Sequence, residues 1–228
     1  MDSDYQILMA AKREKLQKLL RILIWLVPVI VTITIGLCWA FYQERYDFFQ
    51  EFISALGGRL SQEGHDNTTS SIIFTVGFAI CGLDTLAIAI IYFLFPALRF
   101  NVAKGAFSLL LTIGAVGIAI PGINPTLHII HGIGAFVFIL GFTFFNFYAQ
   151  IYRFVTKHRP KRPKRTWGFY ADLVMTGLVF GAFLVFILFY VLERVASGNV
   201  PVYLAELGQK LLLIIDFTAV FFLDRVDM

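Results

Sequence analysis

The sequence predicts an all-α polytopic membrane protein: a six-transmembrane-helix bundle with a short amphipathic helix in the first outer loop. Three observations carry that reading. Of 228 residues, 58% are apolar and 15% charged, with a mean hydropathy of +0.77, whereas a soluble domain is nearer half apolar and a quarter charged. The apolar residues fall into six runs, each close to the roughly 20 residues a helix needs to cross a bilayer. Lysine and arginine collect on alternate loops, as the positive-inside rule requires of such a bundle.

Residues 1–21, "MDSDYQILMAAKREKLQKLLR", read as a cytoplasmic amphipathic segment. The start is charged and the apolar run behind it lacks a small-residue cleavage pattern, so the first span is expected to be retained. Residues 22–228 then form the transmembrane domain, with spans at 22–42, 71–95, 105–120, 128–152, 169–192 and 203–223. An outer loop covers 43–70 and a basic cytoplasmic loop 153–167. Hydrocarbon offers the backbone no hydrogen-bond partners, so single spans of this composition are helices. Gly114 and Gly117, with "PGINP" beyond them, make the third span short and its exit tightly turned.

Loop charge orients the bundle. The amino-terminal segment has Lys12, Arg13, Lys15, Lys18 and Arg21; the second loop has Arg99 and Lys104; the fourth, "RFVTKHRPKRPKRTWG", has seven Lys/Arg; and Arg225 lies near the end. The other face has only Arg45, Arg59 and Arg194. Both termini are therefore expected in the cytoplasm, which six spans permit and five or seven do not. The fourth loop could also bind anionic head groups, at about 1 kcal/mol per charge, but a topology signal accounts for it, and Pro160 and Pro163 favour an extended hairpin there. No aromatic platform accompanies the basic residues, so the net charge of +4 argues orientation and no nucleic-acid partner. Cys38 and Cys81 lie inside apolar runs, which disfavours a disulfide framework or a cysteine zinc site, and no cofactor is expected.

In the first outer loop, Phe48, Phe49, Phe52, Ile53 and Leu56 recur at helical spacing and Gly57-Gly58 supplies a stop. This predicts the amphipathic helix, with Phe48, Phe49 and Phe52 as a lid that lies in the interface or folds over the bundle mouth. Asn67-Thr68-Thr69 forms a glycosylation acceptor pattern, although Asn67 and its neighbours also suit the N-cap of the second span. Capping is the favoured reading.

The aromatic outer segment with "FISALGG", the small-residue span "IIFTVGFAICGL", the fourth span "LHIIHGIGAFVFILGFTFFNFYAQIY" and the sixth, "YLAELGQKLLLIIDFTAVFFLDR", together resemble the six-span FRAG/DRAM/SFK superfamily and its bacterial and archaeal relatives. The resemblance covers nearly all of the chain after residue 21. It implies a membrane protein connected with lipid handling: remodelling of lipid-anchored proteins, phospholipid distribution, or regulation of autophagy and lysosomes. It brings no set of catalytic residues.

Ionisable groups at membrane depth cost a few kcal/mol, so each needs a partner or a wet cavity. Asp84, Glu206, Lys210 and Asp216 are such groups. Glu206 and Lys210 are four apart in the order that favours an intrahelical pair; Asp216 needs an external partner. In the fourth span His128, His131, Thr143, Asn146 and Gln150 make a polar stripe, with His128 and Asn146 five helical turns apart. The expected site is an outer cavity bounded by the lid, the third-to-fourth turn and the head of the sixth span, with His128, His131, Asp84, Asn146, Glu206, Lys210 and Asp216 as ligand or cavity candidates.

The functional expectation is a non-enzymatic protein that binds membrane lipid. One alternative is an intramembrane lipid hydrolase, using His131 as a base or a metal held by His128, His131 and His65. Another is an accessory subunit, with a membrane-protein partner or a second copy of the chain. No serine sits in a nucleophile elbow and no glycine-rich phosphate loop follows a strand, so soluble-enzyme templates do not apply.

Overall fold

The computed structural model describes residues 3–121, 125–158, 167–195, 203–224 and 227–228. Among the described residues six α-helices make up the fold: α1 (Ser3–Phe41), α2 (Thr68–Leu94), α3 (Asn101–Ala119), α4 (Pro125–His158), α5 (Trp167–Val195) and α6 (Leu204–Phe221), with a 3-10 turn at Ile53–Gly57. Five of them, α1 to α5, are long and apolar enough to cross a membrane. The chain is thus all-α with the build of a multi-pass membrane protein. In α6 the composition differs, because Glu206, Lys210 and Asp216 fall within its 18 residues.

Residues 3–21 are helical and run on into the first span. No cap or breaker separates them from the first span, and a single helix of 39 residues runs from Ser3 to Phe41, about 58 Å at 1.5 Å per residue. Its early turns dock on the α2–α3 connection: Leu20 is fully buried and Lys12 Nζ lies 5.0 Å from the centre of the Phe95 ring.

Consecutive helices pack against one another, and α6 also touches α4 and α1. Side-chain register gives the directions. Lys210 near the start of α6 meets the loop that follows α1, while Val220 near its end accepts a hydrogen bond from Trp25 Nε1 at 3.2 Å. Thus α6 runs antiparallel to α1 along the bundle. Against α4 it runs parallel, since Asn146 meets Asp216 and Gln150 meets Ala219.

The tightest contact joins α3 and α4. A Cβ on Gly117 would lie 2.7 Å from the Gly134 Cα, and one on Gly114 would lie 2.4 Å from the Phe138 nitrogen. These glycines therefore bring two backbones together, a packing role beyond the short span and tight exit that their positions predict. Pro121 is described, but residues 122–124 of "PGINP" lie outside the described residues.

The first outer loop is not the amphipathic α-helix the spacing predicts. Residues Phe48 to Gln50 form a turn, with the Asp47 carboxylate accepting from the amides of Phe49 at 2.9 Å and Gln50 at 3.2 Å, and only Ile53–Gly57 is helical, in 3-10 form. The physical reason lies in outside groups that claim its interior backbone: Lys210 and the Tyr46 hydroxyl donate to the Glu51 carbonyl, and the Ile53 amide donates to Gln209 Oε1 at 3.4 Å, while further side chains hold the carbonyls at its end. Ser70 Oγ donates to Leu56 O at 2.7 Å, Ser71 Oγ to Gly57 O at 2.8 Å, and Asn67 Nδ2 to Gly58 O at 2.8 Å and Leu56 O at 3.2 Å. Carbonyls engaged in this way hold the segment as an irregular plug against the heads of α1 and α2.

Candidate functional site

The candidate residues separate into four places. At the loop end of the bundle, a cavity of about 310 Å³ opens between the plug and the first turns of α4; His128 and His131 line it together with Tyr42, Phe52, Ser54 and Ser61. Beneath it lies an apolar crevice of about 30 Å³, sharing His131 and Ser54 with the cavity and continuing between Phe74, Phe78 and Phe138. The upper space is at the small end of ligand sites. The lower one has the volume of about one water molecule.

His131 is 6% exposed. Its Nδ1 lies 3.0 Å from the Ile120 carbonyl oxygen, and a carbonyl oxygen faces only an N–H, so Nδ1 carries the proton. Nε2 is buried and meets no hydrogen-bond partner among the described residues. Uncharged, the ring therefore holds Nε2 as an acceptor enclosed in the packing. His128 is exposed at the rim. Among the described residues, no serine is hydrogen-bonded to His131.

Tyr42, which closes α1, is the residue sequence reasoning missed. It is 8% exposed, and its hydroxyl oxygen is buried close to the Gln62 backbone. Burial raises its phenol above the ordinary value, and the Glu51 carboxylate pushes the same way, so the group stays protonated and is a donor. A tyrosine at the end of an apolar run, followed by Gln43 and Glu44, is the signal that could have found it.

The three lid phenylalanines have three separate roles. Phe48 stacks on Trp39 with centroids 6.0 Å apart, Phe49 is 65% exposed, and Phe52 lines the cavity. Behind them Lys210, 2% exposed, donates to the Glu51 carbonyl and lies 5.2 Å from the Phe48 ring centre. Glu206, one turn away, is near enough for its charge to act on Lys210, while its Oε2 is buried with no hydrogen-bond partner among the described residues. Besides the Glu206 charge, the plug offers Lys210 a carbonyl and two aromatic faces.

The α4–α6 contact supplies the partner Asp216 needs. Thr143 Oγ1 donates to Asp216 Oδ2 at 2.6 Å, and Asn146 Nδ2 donates to Oδ1 at 3.1 Å and to the Asp216 carbonyl at 2.9 Å. One turn on, Gln150 Nε2 donates to Ala219 O at 2.7 Å. All four side chains are buried, so this half of the polar stripe straps two helices together and is not part of the cavity. Asp84 stands apart, half-buried in mid-α2, its Oδ2 without a hydrogen-bond partner among the described residues.

Asn67 is 1% exposed and holds two loop carbonyls through its amide. The folded protein therefore withholds that nitrogen from a glycosyltransferase. Asn67 occupies the N-cap position of α2 without a side-chain cap bond; Asp66 Oδ1 accepts from the Thr68 hydroxyl at 2.6 Å instead. His65 is not gathered with His128 and His131. Among the described residues, its ligand-type neighbours are Glu44 and Glu63, and its Nδ1 lies 3.1 Å from Glu44 Oε1.

At the opposite end, two residues of the basic loop are engaged in ion pairs. Arg153 Nε lies 3.2 Å from Asp172 Oδ1, and Lys157 Nζ 3.0 Å from Asp172 Oδ2. Residues 159–166 of that loop and Arg225 lie outside the described residues, as does the side chain of Arg194. No protein-family model, curated protein or solved structure matches the chain.

Proposed function

We propose that the protein is a non-enzymatic, six-span membrane protein that binds lipid at the loop end of its bundle, with both termini cytoplasmic. The carrying observation is the polar-over-apolar arrangement of the cavity: hydroxyl, imidazole and aromatic groups above, and a crevice walled by phenylalanine and aliphatic side chains directly beneath. That order matches an amphiphile with its head outward. A chain entering the crevice has to displace Phe74, Phe78 or Phe138, because the space at rest is so small. The resemblance to the FRAG/DRAM/SFK superfamily supports the same class of function.

The sixth span is supported by how α6 disposes of its charge. Asp216 is bonded by α4 and Lys210 by the plug, so two of its three ionisable groups are turned inward to partners and the third, Glu206, is also buried. A helix of 18 residues is about 27 Å long, close to the hydrocarbon thickness of roughly 30 Å.

Protein purified in mild detergent is expected to carry phospholipid detectable by native mass spectrometry. Ser54→Trp places a large ring where cavity and crevice join, and is expected to reduce bound lipid severalfold while the fold persists. Unchanged lipid in a folded Ser54→Trp protein contradicts lipid binding at this cavity.

A further inference from the structure

Ile73, Gly77, Ile80 and Asp84 fall on one stripe of α2, each three or four residues from the next. The first three line a groove of about 390 Å³ between α2 and α1. At its floor the two helices make a close approach, where a Cβ on Gly77 would lie 2.1 Å from Thr34 Oγ1. Its walls are aliphatic, and Ile33, Leu37, Ile72, Val76 and Ile80 are exposed along them. Asp84 continues the stripe one turn beyond Ile80 and is half-buried. A carboxyl thus stands at the end of an apolar, outward-facing groove, near the middle of α2.

No group among the described residues answers that carboxyl. Its Oδ2 is enclosed without a hydrogen-bond partner, and no neighbouring charge acts on the side chain. The helices packed against α2 are α1 and α3; α2 itself, α1 from 22 to 41 and α3 from 105 to 119 contain no lysine, arginine or histidine. Lys104, in the first turn of α3, donates to the Asp227 carbonyl and lies 5.6 Å from the centre of the Tyr92 ring, about two turns farther along α2. Thr34, the hydroxyl in the groove, donates at 2.8 Å to Ile30 O of its own helix. An ionisable group at membrane depth is kept with a partner or in a wet cavity. The groove beside Asp84 is apolar, so the partner comes from outside the chain. Acyl chains fill such a groove but offer a carboxyl nothing; a basic side chain does. A second copy of the chain fits poorly, because its lysines within α3 and α6 are buried and engaged and two such grooves face to face bring like charges together.

We propose that the α1–α2 groove is the docking site for a transmembrane helix of another protein, one that carries a lysine or arginine near its middle. Aliphatic side chains of that helix seat between Ile33 and Val76, and its cation meets the Asp84 carboxylate. Each charge then neutralises the other where hydrocarbon tolerates neither alone, and the pair sets the register of the two helices. This surface is separate from the cavity at the loop end and does not depend on what that cavity binds.

The test uses full-length protein in phosphatidylcholine vesicles with synthetic leucine–alanine helices of about 20 residues, bearing lysine, glutamine or leucine at the centre, and reads association by energy transfer between labels. The lysine helix is expected to associate about tenfold more tightly than the leucine helix, the order one interhelical polar contact supplies, with the glutamine helix between them. Asp84→Leu is expected to abolish the lysine preference while leaving the thermal stability of the isolated protein equal or higher, since its own bundle makes no use of the carboxyl. Ile80→Trp, which fills the groove and keeps the carboxyl, is expected to weaken the lysine helix severalfold. Equal association of lysine and leucine helices with the native protein, which needs no variant to fold, overturns the proposal. So does a lysine preference that survives Asp84→Leu, a glutamine helix that binds as well as the lysine helix, or a sharp loss of stability in Asp84→Leu. Self-association of the native protein that is lost in Asp84→Leu assigns the groove to a second copy and overturns it as well.

Discussion

Gly134→Val is expected to prevent the bundle from assembling, with a loss of about 3 kcal/mol or more and little folded protein recovered in detergent. A Cβ at this position would lie 2.6 Å from the Gly117 Cα and carbonyl carbon and 2.7 Å from the Ile118 nitrogen. Those atoms are backbone and cannot rotate aside. The only relief is separation of α3 from α4, which unpacks the buried Phe138 and Phe142 and disturbs the wall that holds His131 to Ile120. Gly177 on α5 provides the control. Nothing lies within 4 Å of a Cβ there, so Gly177→Ala is expected to change stability by only about 0.5 kcal/mol. Thermal unfolding in detergent, followed by gel filtration of the surviving fraction, distinguishes the two. Equal behaviour of the two variants contradicts the close α3–α4 contact.

Arg153→Leu is expected to cost about 3 kcal/mol, the low end of the range for breaking a buried ion pair. The guanidinium is 9% exposed, with Nε 3.2 Å from Asp172 and 4.0 Å from Asp227 and a terminal nitrogen 3.6 Å from Asp224. The low end applies because Lys157 still reaches Asp172 and Lys104 still holds the Asp227 carbonyl. Arg153→Lys is expected to recover only part of the loss, since one ammonium cannot reach three carboxylates as a forked guanidinium does. The defect also has a pH sign. Burial pushes the Asp227 carboxyl above its ordinary value, while the Arg153 and Lys104 charges pull it down. Without Arg153 it rises further. A carboxyl that holds its proton more tightly folded than unfolded adds stability as pH falls through its raised value. Arg153→Leu should therefore lose least in acid and most near neutrality, and a defect independent of pH contradicts a charge-based cause.

The helices were legible because hydrocarbon leaves the backbone no alternative, and the five most apolar runs became the five longest helices. The partner of Asp216 was half legible. Sequence spacing put Thr143, Asn146 and Gln150 on one face and showed that Asp216 needed help from outside α6, but only packing brought the two facts together. The plug was misread for the opposite reason. Its apolar spacing suits a helix, yet its carbonyls are claimed by Asn67, Ser70, Ser71 and Lys210, between 9 and 159 positions away along the chain, and no local pattern encodes that. A tyrosine at the end of a span is ordinary in sequence; what sets Tyr42 apart is a buried hydroxyl at the cavity wall beside the Glu44 and Glu51 charges.

Whether α6 crosses the bilayer is read most directly from the sidedness of the chain ends. Topology reporters fused at the amino terminus and after residue 228 are expected to report the same, cytoplasmic side, while a cysteine at the exposed loop position, Glu63→Cys, is labelled only from the opposite side. Reporters on opposite sides of the membrane would mean that α6 lies at one surface, and the six-span bundle with its lipid cavity facing away from the cytoplasm would be wrong.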